Sequence, residues 1–279
     1  MRATSDGLMK MPTPTTPPAT IITASKAPSS GTSVRARTAA VLGSPGMKWD
    51  LHTHYYPEAY FEMIREAPGE FRFDRDPTGR TILTYQGSRF FGLTPPMTDV
   101  ARRLEDMDRV GIDVEVVSIS TPNVFFADEK RQPEVARRLN DDYAELIARH
   151  PKRFRGFASI PMDAPESALD ELHRALGPLK LSGVILLSNI RGRALTDPRY
   201  RAFFEEANRM KACIFLHPML PAQAEAFREY VLGPLVGFPF DTTLAVARIS
   251  TTAGATSRNA ARGSTSSPAS TSSASTTTR

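Results

Sequence analysis

Two hydrophobic periods alternate along residues 48–249. Compact apolar runs predict strands over 48–52, 114–119, 154–160, 183–187 and 213–216. The run at 183–187 is almost continuously apolar, as expected for a strand covered on both faces. Between these runs, apolar residues spaced three and four apart predict helices over 57–66, 99–110, 133–149 and 165–176, and another opening at Asp197-Pro198. Val100, Leu104, Met107 and Val110 make the inward face of the second of these. Thr98 or Asp99 caps it and Gly111 ends it. Two more helical segments are expected at 221–231 and 239–248, and Gly-, Pro- and Arg-rich residues 68–96 read as an inserted loop or small hairpin.

Strands alternating with helices imply a parallel sheet with right-handed crossovers. The fold class expected is α/β, an incomplete (β/α)8 barrel of about five βα units, since a full barrel needs about 250 patterned residues. Three regions follow: a disordered Ser/Thr/Pro-rich tail over 1–46, the partial barrel over 47–249, and a low-complexity Ser/Thr/Ala tail over 250–279. The last segment holds no aromatic, Val, Leu, Ile or acidic residue, so neither a strand nor a helix face is expected from it. The change at about Ser250 is abrupt, which suggests a frameshift or a lost C-terminus. Met47, directly before the first strand, suggests an alternative start.

Charge changes this picture little. The net charge is +5, but residues 1–46 carry +4 and 250–279 carry +3, leaving the patterned region at −2. No basic footprint for nucleic acid is present. No apolar run approaches the ~18 residues of a membrane span, and a cytoplasmic location is expected. Cys213, the single cysteine, excludes an intramolecular disulfide and is expected to be a packed thiol.

The candidate chemistry sits at strand ends. His52 and His54 close the first strand one residue apart, so alternation puts them on one face, with Asp50 in the same row. His217 closes the strand beginning at Cys213. Imidazoles converging from two strands suit a divalent metal. His150, after a helix C-terminus, and His173, on an outer helix face, read as structural.

These segments, with Arg102-Arg103-Leu104-Glu105-Asp106-Met107-Asp108, the 150–162 stretch and 233–243, resemble the amidohydrolase superfamily. The nearer likeness is to its branch of aminocarboxymuconate-semialdehyde decarboxylase and related non-oxidative aromatic-acid decarboxylases. The resemblance covers about 47–249. It implies that His52, His54 and His217 ligate a mononuclear divalent ion, Zn2+ first. Asp50 reads as a group orienting a ligand histidine, with a cap on the strand end as the alternative, and Arg89 lies where the family's contact for a substrate carboxylate would fall or else is a solvated loop arginine. The resemblance further implies a small carboxylic acid as substrate. A homodimer is a further expected partner. The family's acid/base histidine after the sixth strand and its metal-binding aspartate after the eighth have no counterpart here, so the catalytic residues stay unassigned. Ser188 and Asn189 stand where two-metal members carry a carbamylated lysine, which speaks against binuclear hydrolysis. A mononuclear hydrolase and an inactive fragment are the alternatives.

Overall fold

The computed structural model describes residues 46–263, apart from 68, 70, 86, 87, 222, 223, 228, 230 and 231. Residues 1–45 of the tail expected over 1–46, and the end of the chain from 264, lie outside the described residues. Five parallel strands form the main sheet: β1 (Trp49–His54), β5 (Val114–Ser118), β6 (Phe154–Ser159), β7 (Gly183–Leu187) and β10 (Ile214–His217). They stand side by side in that same order, each neighbour reached through a helical crossover. The crossover helices are α1 (Glu58–Glu66) with α2 (Val100–Val110), then α3 (Gln132–Arg149), α4 (Pro165–Leu176) and α5 (Arg201–Met210). The insertion after α1 is a three-stranded antiparallel sheet, β2 (Phe71–Arg75), β3 (Thr81–Tyr85) and β4 (Ser88–Gly92). A two-residue pair, β8 (Asn189–Ile190) and β9 (Arg193–Ala194), forms a small hairpin after β7.

Local chemistry explains the boundaries. Asp99 caps α2 by accepting from the Ala101 and Arg102 amides at 2.8 and 3.2 Å. Gly111 closes it in the left-handed region at φ 73°. Gly183 opens β7 where a side chain has no room, since a Cβ there would lie 2.5 Å from the Cys213 carbonyl oxygen. Gly183→Ala is expected to destabilise the chain by about 1–3 kcal/mol through overpacking. A urea midpoint equal to the parent's would contradict that.

The sheet separates two apolar layers. Val117, Ile119, Val184 and Leu186 pack outward against Val135, Leu139, Leu172 and Phe203 of the helices. Val116, Phe157 and Ile185 face the other way with Trp49 and Phe215, the Phe157 and Phe215 rings stacked 5.3 Å apart. This second layer is the concave side of a curled half-barrel.

Several expectations need correction. Val110, expected on the inward face of α2, is exposed at the last residue of that helix. Cys213 is exposed rather than packed, since it precedes β10, which pairs only with β7 among the described residues. Where a helix was expected over 221–231, the described residues form a 3-10 turn at Ala224–Phe227, and a π-turn follows at Gly233–Gly237. The helix expected over 239–248 is longer than that, α6 running from Phe238 to Gly263. An α-helix satisfies its backbone internally, and alanine favours it even where no apolar stripe exists.

Candidate metal centre

The metal hypothesis needs side chains from the first and last strands of the sheet to meet. Strand β1 carries one extra residue between Asp50 and Thr53 relative to β5, a bulge. The bulge changes which side chains face inward. Trp49 belongs to the concave layer, Leu51 is exposed, and the next ring to meet Phe215 is His52, at 5.2 Å between centroids. His54 follows on the same side. Asp50 is left beside Glu115 on the neighbouring strand rather than in the histidine row, which corrects the simple alternation. Its carboxylate accepts from the His52 backbone amide at 3.0 Å, not from a ring.

The curl of the sheet brings His217, at the end of β10, onto the same spot. Its ring centroid lies 5.0 Å from that of His52 and 4.9 Å from that of His54. One nitrogen from each of the three lies within 4.8 Å of the others. The His54 and His217 Nε2 atoms are 3.1 Å apart. Two nitrogens held tetrahedrally at 2.0–2.1 Å from one zinc ion would be about 3.3 Å apart, so the pair already stands near ligating separation.

The outer nitrogens fix the tautomers. His217 Nδ1–H donates to the Pro218 carbonyl at 2.8 Å. The Ser118 hydroxyl donates to the Thr53 carbonyl at 3.3 Å, so it accepts from His54 Nδ1–H at 3.1 Å. Both Nε2 lone pairs therefore point inward, as metal ligation requires. Burial opposes protonation of all three rings. It lowers His52, and it lowers His54 well below the usual imidazole value with help from the neighbouring His217 and His52. His217 is brought down to about 4, chiefly by burial and then by His52. Two inward lone pairs without a proton between them repel, and a cation between them removes that repulsion.

An imidazole whose folded value lies below its unfolded 6.5 binds more protons when the chain unfolds. The stability of the metal-free chain is therefore full above pH 6.5 and falls as pH drops toward about 4. Thermal melts across that window are expected to show the decline, and His217→Leu to flatten it. A melting temperature independent of pH in that range would refute the assignment.

Other groups hold the centre in place. Arg103, buried on α2, donates to Thr53 Oγ1 at 2.8 Å, to Glu115 Oε2 at 2.6 Å, to the Pro96 carbonyl at 2.8 Å and to the His54 carbonyl. Sequence reasoning singled out neither Arg103 nor Ser118. The Arg102-Arg103 pair on an amphipathic helix was the one available signal. Arg89 is exposed on β4, its Nη1 4.0 Å from Asp76 Oδ2. His150 caps α3, and His173 pairs with Glu206 at 2.7 Å on the outer surface. A cavity of about 550 Å³ lies between the β8–β9 hairpin and α6, lined by Ser188, Asn189, Asp241, Leu244 and Arg248 among others. None of the three histidines lines it. No helix among the described residues is long and apolar enough to cross a membrane.

Comparison with known proteins bears on this geometry. The family profile described as "Amidohydrolase" matches residues 49–238. The 2-amino-3-carboxymuconate-6-semialdehyde decarboxylase of Dictyostelium discoideum is 31% identical over 72% of this chain and 56% of its own length. The gamma-resorcylate decarboxylase of Rhodococcus jostii is 33% identical over 53% of this chain and 49% of its own. The 5-carboxyvanillate decarboxylase of Novosphingobium aromaticivorans, solved with manganese, superposes with a TM-score of 0.59 at 21% identity, over 73% of this chain and 60% of that one. That likeness establishes the fold. The chain spans about half the length of the curated relatives it matches.

Proposed function

This chain belongs to the amidohydrolase family, and on that premise we propose that it carries the metal-binding half of a non-oxidative decarboxylase acting on an unsaturated or aromatic carboxylic acid. The observation that carries the proposal is the convergence of His52, His54 and His217 with two inward Nε2 lone pairs. The names of the two relatives, a muconate-semialdehyde and a resorcylate decarboxylase, support the reaction and the substrate class. A bound divalent ion would act as a Lewis acid on the substrate's oxygens. The chain's residues supply the rest. The Ser118 hydroxyl and the Pro218 carbonyl hold two rings in the ligating tautomer, Arg103 fixes the β1 backbone beneath them, and Phe215 walls the site beside His52.

Zinc is the ion proposed, because neutral imidazoles favour it over manganese in the usual order of affinities. Competition between the two metals, followed by isothermal titration, is expected to leave zinc bound. Preferential retention of manganese would reverse that choice.

We further propose that the 279-residue chain expressed by itself turns over negligibly. Of its five histidines, three form the cluster, His150 caps the end of α3 and His173 stands on α4. No imidazole is left at a strand end to move a proton. Metal-loaded protein offered aromatic and unsaturated acids is expected to release CO2 at the background rate. Release at about 1 s⁻¹ or faster, an ordinary enzyme rate, would overturn this, and failure to bind any divalent metal would overturn the whole assignment.

A further inference from the structure

His217 ends a strand that pairs on one side only among the described residues, so its position depends on what grips the turn that follows. That grip comes from two residues just past β7. The Ser188 amide donates to the His217 carbonyl at 2.8 Å, and the Ser188 hydroxyl accepts from the Met219 amide at 2.8 Å. The Asn189 side-chain amide donates to the Leu220 carbonyl at 2.9 Å. Both side chains turn on one buried carboxylate in the first turns of α6. Ser188 donates its single hydroxyl proton to Asp241 Oδ2 at 2.5 Å, and Asn189 donates to the same oxygen at 2.8 Å.

We propose that Asp241 is a positioning residue for the metal centre, holding His217 in ligating register through Ser188 and Asn189. The proposal rests on the metal assignment above and extends it to a residue outside the donor set. A hydroxyl has one proton and rotates freely. With that proton committed to Asp241, its lone pairs are aimed at the Met219 amide. Asn189 is locked likewise, because its Oδ1 accepts from the Gly192 amide at 2.9 Å while its Nδ2 serves Asp241 and Leu220. Removing the carboxylate frees both orienting groups at once. Because coupling between two sites is reciprocal, metal binding at His217 must also strengthen the docking of α6.

The test uses the full chain and zinc alone. Asp241→Leu is expected to weaken zinc binding about 10- to 100-fold, as loss of groups behind metal ligands usually does. Asp241→Asn, which keeps an oxygen to accept from Ser188, is expected to stay within about threefold of the parent. Ser188→Ala, a small change that preserves the fold, is expected to behave like Asp241→Leu. In the parent, zinc is expected to slow amide hydrogen exchange in the first turns of α6, and in Asp241→Leu that protection is expected to vanish. Parental affinity in folded Asp241→Leu or Ser188→Ala would overturn the proposal, as would Asp241→Asn binding as weakly as Asp241→Leu. If the parent itself binds no zinc, the metal assignment and this inference fall together; if it binds and the variants match it, this inference alone falls.

Discussion

Replacing His217 by alanine is expected to lower divalent-metal affinity by at least about 100-fold, the upper end of what outer-shell losses cost. The magnitude follows from the donor count, because three imidazoles converge and this one supplies an Nε2 3.1 Å from that of His54. Two remaining donors on one strand cannot surround an ion. Cobalt makes the effect visible, since the parent should develop a tetrahedral absorption band that the variant lacks. Equal cobalt spectra would show that the metal, if any, binds elsewhere. His54→Ala should behave similarly, and His173→Ala, on the outer surface, should not.

The second large effect concerns stability. Arg103→Met strands Glu115, whose side chain is 11% exposed, without the guanidinium 2.6 Å away. Burial already pushes the Glu115 carboxyl up, and Arg103 is the main influence pulling it back. Breaking such a pair costs about 3–5 kcal/mol, whereas replacing both partners by apolar residues can be neutral. Urea unfolding of Arg103→Met should show that loss, and Arg103→Met/Glu115→Leu should recover most of it. A double variant no better than the single one would mean that the bonds from Arg103 to Thr53, Pro96 and the His54 carbonyl matter more than its charge.

Much of the scaffold was legible in the residues. The five strands and their crossovers followed from hydrophobic period, and capping chemistry bounded α2 by Gly111 at its end and by Thr98 or Asp99 at its start, of which the structure uses Asp99. The histidines stood out because strand ends are where parallel sheets place ligands. What failed to show was anything set by contact between distant segments. The bulge in β1 depends on its register against β5, so Asp50 was assigned to the wrong row. The pairing of Arg103 with Glu115 spans two elements, so no local pattern pointed to it. Asp241 meets Ser188 across 53 residues, and no local pattern signals that. Cys213 and Val110 looked buried because period reports which face a residue lies on, not whether anything covers it there. The continuation of α6 to Gly263 was missed for the opposite reason, since a helix backbone needs no apolar face to close its own ladder.

The sheet's end strands, β1 and β10, are also the two that carry the histidines. An ion gripped by both would fasten the tips of a bow, tying His54 to His217 across 163 positions of chain. Such a clasp limits how far the arc can flatten, and it removes configurational freedom from the unfolded chain only while the ion stays bound. Curvature and ion occupancy would then rise and fall together, and a chelator would relax the bend before it melted any helix.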